Sequence, residues 1–182
     1  MKMRRHINKI VLLGIVAFIS FSALTSRAAD DAEVRGTVQR VFQQLKSRDY
    51  GALYDSLPAA SQSRMSRERF AGALQRAQDM YVLDRMDVGQ VRVANNIAVV
   101  DTVLYGRVVR PIQTEGKIVV QQYLVREDGK WKVATGDTAT IKRFLGSNPA
   151  FRARFPIRAP KVYVKQGKDW IEFTPPGQSR RT

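Results

Sequence analysis

Residues 82–137 read VLDRMDVGQVRVANNIAVVDTVLYGRVVRPIQTEGKIVVQQYLVREDGKWKVATGD, and this stretch decides the fold. Apolar and β-branched residues alternate with polar ones in runs broken by turn signals, as in consecutive half-buried strands. Asn95-Asn96 divides VRVA from IAVV, and Asn accepts the positive φ that a two-residue hairpin turn needs. Glu127-Asp128-Gly129-Lys130 makes a second turn between alternating runs. From Arg110 to Gly116 the chain contains Pro111 and Gly116, and reads as an irregular, exposed loop. The stretch is therefore expected to be an antiparallel meander.

The residues before it read as helices. Val34, Val38, Val41, Phe42 and Leu45 recur on one stripe, with Asp30, Asp31 and Glu33 at the expected start and Lys46 and Arg48 at the end. DYGALYDSL, from Asp49, suggests a short second helix stopped by Pro58. Ser66 is the expected N-cap of a third, RERFAGALQRAQDM, whose Phe70, Ala73, Leu74, Ala77 and Tyr81 share a face. Helices first and an antiparallel meander afterwards imply an α+β fold, with three N-terminal helices packed on a sheet.

This order resembles the nuclear transport factor 2-like superfamily over residues 32–137, with DYGALYDSL after the first helix and DGKWKVATGD closing the sheet. The resemblance implies a curved sheet wrapped around a helix as a cone with a pocket. It also implies dimerisation through the outer face of the sheet, here expected to be the Ala98–Leu104 side. The superfamily includes ketosteroid isomerases, polyketide cyclases, limonene epoxide hydrolases and non-catalytic domains, so fold does not settle function.

Elsewhere the sequence narrows the chemistry. The chain has no cysteine, which removes disulfides, thiolate nucleophiles and zinc–thiolate sites. Its only histidine is His6. Residues 1–28 carry Lys2, Arg4, Arg5 and Lys9, then an uncharged run from Ile10 to Leu24, then small residues at Ser26 and Ala28. That is the pattern of a secretory signal peptide, with an uncleaved anchor as the alternative. The rest of the chain is then expected outside the cytoplasm, periplasmic or secreted. Without residues 1–28 it has no imidazole for Ser-His catalysis or metal ligation, and no metal or cofactor is expected.

On the second long strand Ile97, Val99, Asp101, Val103 and Tyr105 share the bulkier face, and bulk is taken to mark the inside. Trp131, Val133, Thr135 and Asp137 share a face on the last strand. An isomerase-like chemistry would use Asp101 or Asp137 as general base and Tyr105 or Tyr123 as oxyanion donor. A binding pocket would draw on Tyr54, Tyr81, Asp101, Gln121, Tyr123, Trp131 and Asp137. The plainer reading makes the tyrosines core residues and leaves Asp101 bonded to a neighbouring strand or facing water.

The tail is strongly basic. Residues 29–138 hold sixteen Lys/Arg against fourteen Asp/Glu, whereas residues 139–182 hold ten against two. TIKRFLG reads as a helical turn, Asn148-Pro149 as the start of another, and residues 161–173 as a hairpin. Lys142, Arg143, Arg152, Arg154, Arg158, Lys161, Lys165 and Lys168, interleaved with aromatics, suit an anionic membrane surface or envelope polymer. Alternatively the aromatics dock the tail and the cations solvate it. Nucleic acid is disfavoured as a partner of an exported protein. The organisation expected is thus a leader (1–28), a domain (29–138) and a basic extension (139–182). The leading functional reading is an exported, non-catalytic domain that binds a small ligand or an envelope protein. The alternatives are an Asp/Tyr-dependent isomerase- or cyclase-like enzyme, or a membrane-anchored periplasmic assembly factor similar to those of type IV secretion.

Overall fold

The computed structural model describes residues 28–110 and 113–173. All of the expected leader except its last residue lies outside the described residues, as does the tail after residue 173. Among the described residues no helix is long and apolar enough to cross a membrane.

Helices come first and a six-stranded antiparallel sheet follows. Helix α1 covers residues 28–46, and Arg48 at φ 61° turns the chain out of it. Helix α2, Tyr50–Asp55, is capped by the Asp49 carboxylate, which accepts from the Ala52 N–H at 3.0 Å. Pro58 opens one further helical turn, α3 at Ala59–Gln62. Helix α4, Arg67–Gln78, is capped by Ser66. Tyr81, expected on the face of this helix, instead opens strand β1 at Tyr81–Ala94, because the helix ends at Gln78 and the backbone is extended from residue 81.

Strand β2 is Ile97–Val108 and β3 is Thr114–Glu127. The Asn95 and Asp128-Gly129 turns take the positive φ that the sequence suggested, 52° at Asn95 and 50° and 73° at the other pair. Strand β3 begins inside the stretch expected to be loop, since Thr114 pairs with Val108 and Gly116 with Gly106. Strand β4, Lys130–Val133, pairs with the 124–127 end of β3. After helices α5 (Thr138–Gly146) and α6 (Pro149–Arg154), β5 (Lys161–Gln166) pairs with residues 116–119 of β3. Strand β6, Asp169–Phe173, closes the edge, giving the order β1-β2-β3-β5-β6 with β4 on β3. The hairpin of the basic tail is thus part of the main sheet.

Two apolar layers sandwich that sheet. Val34 and Val38 of α1 pack with Ala98, Val100, Leu124, Trp131 and Val133. On the other face Ile97, Val99, Tyr123 and Val125 pack against Ile141 and Leu145 of α5, with Phe144, Phe151 and Phe155 beside them. The face expected to point inward is therefore the outer one. Bulk misled because both faces are covered: Ile97, Ala98, Val99 and Val100 are each 0% exposed. Small Ala98 faces α1 and lets the helix approach, while the larger residues meet the tail helices. The Ala98–Leu104 side, assigned above to a dimer interface, is the side under α1.

Strand β1 is bent by register shifts between Leu83 and Arg85 and between Val88 and Val91. Gly106 lies against the first irregularity, where a Cβ would stand 2.3 Å from the Val82 carbonyl oxygen. Gly106→Ala should therefore cost about 1–3 kcal/mol, by forcing β1 off β2. Gly36→Ala, on α1 with open space around the new methyl, should instead stabilise by about 0.5–1 kcal/mol. Urea midpoints of the two variants check this, and equal shifts of the same sign would contradict the close approach at Gly106.

Candidate functional site

Between the helices and the inner face of the sheet lies a cavity of about 250 Å³. Helix α1 supplies Val38, Val41, Phe42 and Leu45; the α2 region supplies Leu53, Ser56 and Leu57; α4 supplies Phe70 and Leu74. The sheet closes it with Met86, Leu104, Gln122 and Val133, and Thr135 sits beyond β4. The helical stripes read from sequence, Val38-Val41-Phe42-Leu45 and Phe70-Leu74, supply six of these residues.

Polar bonds at both ends fix α4 across this cavity. At its start Arg67 pairs with Asp55, and the Tyr54 hydroxyl lies 2.9 Å from the Gln62 and Met65 carbonyl oxygens. At its end the Tyr50 hydroxyl donates to Gln78 Oε1 at 2.6 Å, and Gln78 Nε2 donates to the Leu45 carbonyl at 2.6 Å. The apolar middle of the helix spans the space between. Helix α2 is held in turn by the Val133 N–H donating to the Ser56 carbonyl at 2.9 Å and by Lys132 Nζ donating to the Asp55 carbonyl at 2.7 Å.

None of the lining residues is ionisable, and each of the three polar ones already has a partner inside the protein. Ser56 Oγ donates to the Ala52 carbonyl at 2.9 Å. Thr135 Oγ1 accepts from the Tyr123 N–H at 2.9 Å. Gln122 Nε2 lies 3.4 Å from Thr102 Oγ1, which donates to the Val120 carbonyl at 3.0 Å. Such a surface can desolvate an apolar group, and it offers no ionisable acid or base.

The residues singled out from sequence lie elsewhere. Asp101 is on the outer face, paired with Arg92 at 2.7 Å. Gln121 bridges it to Tyr123, with Nε2 3.3 Å from Asp101 Oδ1 and Oε1 3.5 Å from the Tyr123 hydroxyl. That hydroxyl donates to the Pro156 carbonyl at 2.9 Å, and burial pushes its pKa up. Tyr105 carries the Arg85 guanidinium 3.6 Å above its ring. Tyr54 packs edge-on against Phe70, with centroids 5.8 Å apart, and lies outside the cavity lining. Tyr81 is partly buried at the start of β1, and burial raises its pKa as well. Trp131 is 4% exposed in the core beneath Arg126, and its indole N–H has no partner among the described residues.

Asp137, expected on a strand face, is the N-cap of α5, because Gly136 at φ 91° turns the chain before it. Burial would raise its pKa, but it is outweighed. Hydrogen bonds from Ser61, from the Thr140 N–H and hydroxyl, and from Arg64 hold the carboxyl at about 2. The structure therefore assembles Asp101, Gln121 and Tyr123 into one chain of contacts, and keeps them apart from Asp137, Tyr105 and the cavity.

The basic residues of the tail are distributed around its exterior. Lys165 pairs with Glu115 at 2.8 Å, Lys161 with Glu172 at 3.5 Å and Arg143 with Glu127 at 3.9 Å. Lys142, Arg152, Arg158 and Lys168 are exposed and form no ion pair among the described residues, and Arg154 lies 5.7 Å from the Phe155 ring. Phe144, Phe151 and Phe155 bind the tail to the outer layer, while Lys117 Nζ sits 5.2 Å from the Tyr163 ring and 4.5 Å from that of Trp170. Docking by aromatics and an outward display of cations thus coexist.

No protein-family profile matches the chain, and no curated protein matches it. Among solved structures it is similar to a Campylobacter jejuni protein named as an NTF2-like transpeptidase. The identity is 10% and the TM-score 0.40, over 56% of this chain and 96% of that one. The chemistry of the site is read from its own residues.

The depressed pKa of Asp137 carries a pH dependence. Its stabilising contribution is complete above its ordinary value of 3.8 and is lost as pH falls toward about 2. Its size is about 2 kcal/mol. Thermal melts from pH 5 to pH 2 should show wild type losing this increment and Asp137→Asn lacking that part of the slope. Parallel profiles for the two proteins would contradict the assignment.

Proposed function

We propose that this protein is a non-catalytic binding domain that takes a small apolar ligand between α1, α2, α4 and the inner face of the sheet. The observation that carries the reading is the chemical character of the cavity: eleven of its fourteen lining residues are apolar and none is ionisable. An apolar ligand gains about 25 cal/mol for each Å² of surface taken out of water, and Ser56, Thr135 and Gln122 each keep a contact within the protein. The general-base reading of Asp101 or Asp137 has less support. Asp101 is held by Arg92 on the far side of the sheet and Asp137 is committed to capping α5.

The basic, apolar and small-residue segments of residues 1–28 support a place outside the cytoplasm, in the cell envelope. A mature N-terminus at Ala29 in the exported fraction is the expected result of N-terminal sequencing. Residues 1–28 retained on membrane-bound protein would favour the anchored alternative.

Binding is tested by titrating the full mature chain with octanol, a neutral apolar probe, by calorimetry. Wild type should bind it. Leu74→Trp, which places an indole where the ligand would sit, should weaken binding at least tenfold while keeping or raising the melting temperature. Equal octanol affinity in wild type and this variant, or no octanol binding by wild type, would sink the proposal.

A further inference from the structure

A second hollow lies on the same face of the sheet, and Leu104 lines both. Its floor is the pair Gly106 and Gly116, which face each other across β2 and β3. Leu83, Leu104, Ile118 and Val162 are its aliphatic lining, Tyr81, Arg107 and Lys117 also border it, and its volume is about 130 Å³. Neither glycine adds a side chain to this floor, and neighbouring groups already approach the positions a Cβ would take, the Val82 carbonyl oxygen at 2.3 Å for Gly106 and Val108 Cγ2 at 3.3 Å for Gly116. The tail hairpin continues this face, with Val162 opposite Phe173 and Val164 opposite Ile171. Ile171 and Phe173 remain 45% and 48% exposed. Apolar residues of one sheet face therefore extend from the helix-covered cavity through Leu104, Ile118 and Val162 to Ile171 and Phe173 at the edge of the sheet.

The same geometry discriminates between occupants. The strands that form the floor are paired with one another on both sides: Gly106 with Leu83 and Gly116, and Gly116 with Val164. A peptide laid in the trough would therefore bury its amides without partners, at a cost of a few kcal/mol for each group left unpaired. A hydrocarbon carries no such penalty, and a hollow of this size takes one chain.

We infer that cavity and trough form one binding tract for a single long alkyl chain, acyl or isoprenoid. The inner segment lies under α4, and the outer segment lies over Gly106 and Gly116 against the tail hairpin. This rests on the reading of the cavity as an apolar binding site and adds the class of ligand. It also gives the β5–β6 hairpin a role in binding.

The test is a chain-length series from hexanol to dodecanol, titrated into the full mature chain by calorimetry. Each methylene that finds buried surface strengthens binding about fourfold. In wild type the gain should persist beyond octanol. Val162→Trp fills the trough, so it should leave octanol affinity unchanged and abolish the gain from octanol to dodecanol. A wild-type gain that stops at octanol overturns the extended tract and leaves the cavity reading intact, and this arm needs no variant. Dodecanol binding unaltered by Val162→Trp also overturns it. Absence of binding by any alkanol removes the cavity reading and this inference together. If dodecanol instead drives self-association through Ile171 and Phe173, seen as a rise in mass by light scattering, the exposed end belongs to a second copy and the tract is overturned.

Discussion

Everything in this structure depends on burying one strand from both sides. Four successive residues of β2, Ile97 to Val100, are out of contact with water, so alternation along the strand serves two separate layers. One layer belongs to α1 and the other to α5 and α6. Each large aliphatic group buried in this way contributes about 1.5–3 kcal/mol, which makes the segment after Asp137 part of the fold's stability. Tyr123 marks the commitment, since its hydroxyl holds the Pro156 carbonyl of the tail.

The inner layer is packed tightly at one end only. Where Ala98 and Val100 meet Val34 and Val38, the helix lies close to the sheet. Toward Leu104 and Met86 the covering passes from α1 to α4, and α4 is held by hydrogen bonds and ion pairs at its two ends. A helix fixed at its ends has its distance from the sheet set by those polar bonds. The space under its middle can then persist without collapsing. The cavity thus follows from how the layer is suspended, as well as from which residues line it.

Much of the architecture was legible in the sequence because it rests on local chemistry. The Asn95 and Asp128-Gly129 turns, the α1 stripe and the Ser66 cap are each encoded within a few residues. The candidate site was less legible. A period of two separates the faces of a strand without saying which is inner, and bulk points the wrong way when the outer face is also covered. Asp137 shows a different limit: its spacing from Trp131 fitted a strand, but Gly136 ends the strand pattern and the carboxylate caps a helix. Leu104, which does line the cavity, carried no signal beyond lying opposite the misassigned face. The tail's basic composition drew attention to its charge and obscured that its valines complete a sheet.

The pairing of β5 with β3 has a consequence for the order in which the chain can fold. Residues 116–119 wait for residues 161–164, so one edge of a central strand stays open until the last tenth of the described chain has arrived. Contacts this distant in sequence form late, and an open apolar edge invites pairing with other chains in the meantime. Until then β3 remains half paired. Loss of the final hairpin would make the interval permanent, turning an ordered domain into one that adds strands from its neighbours.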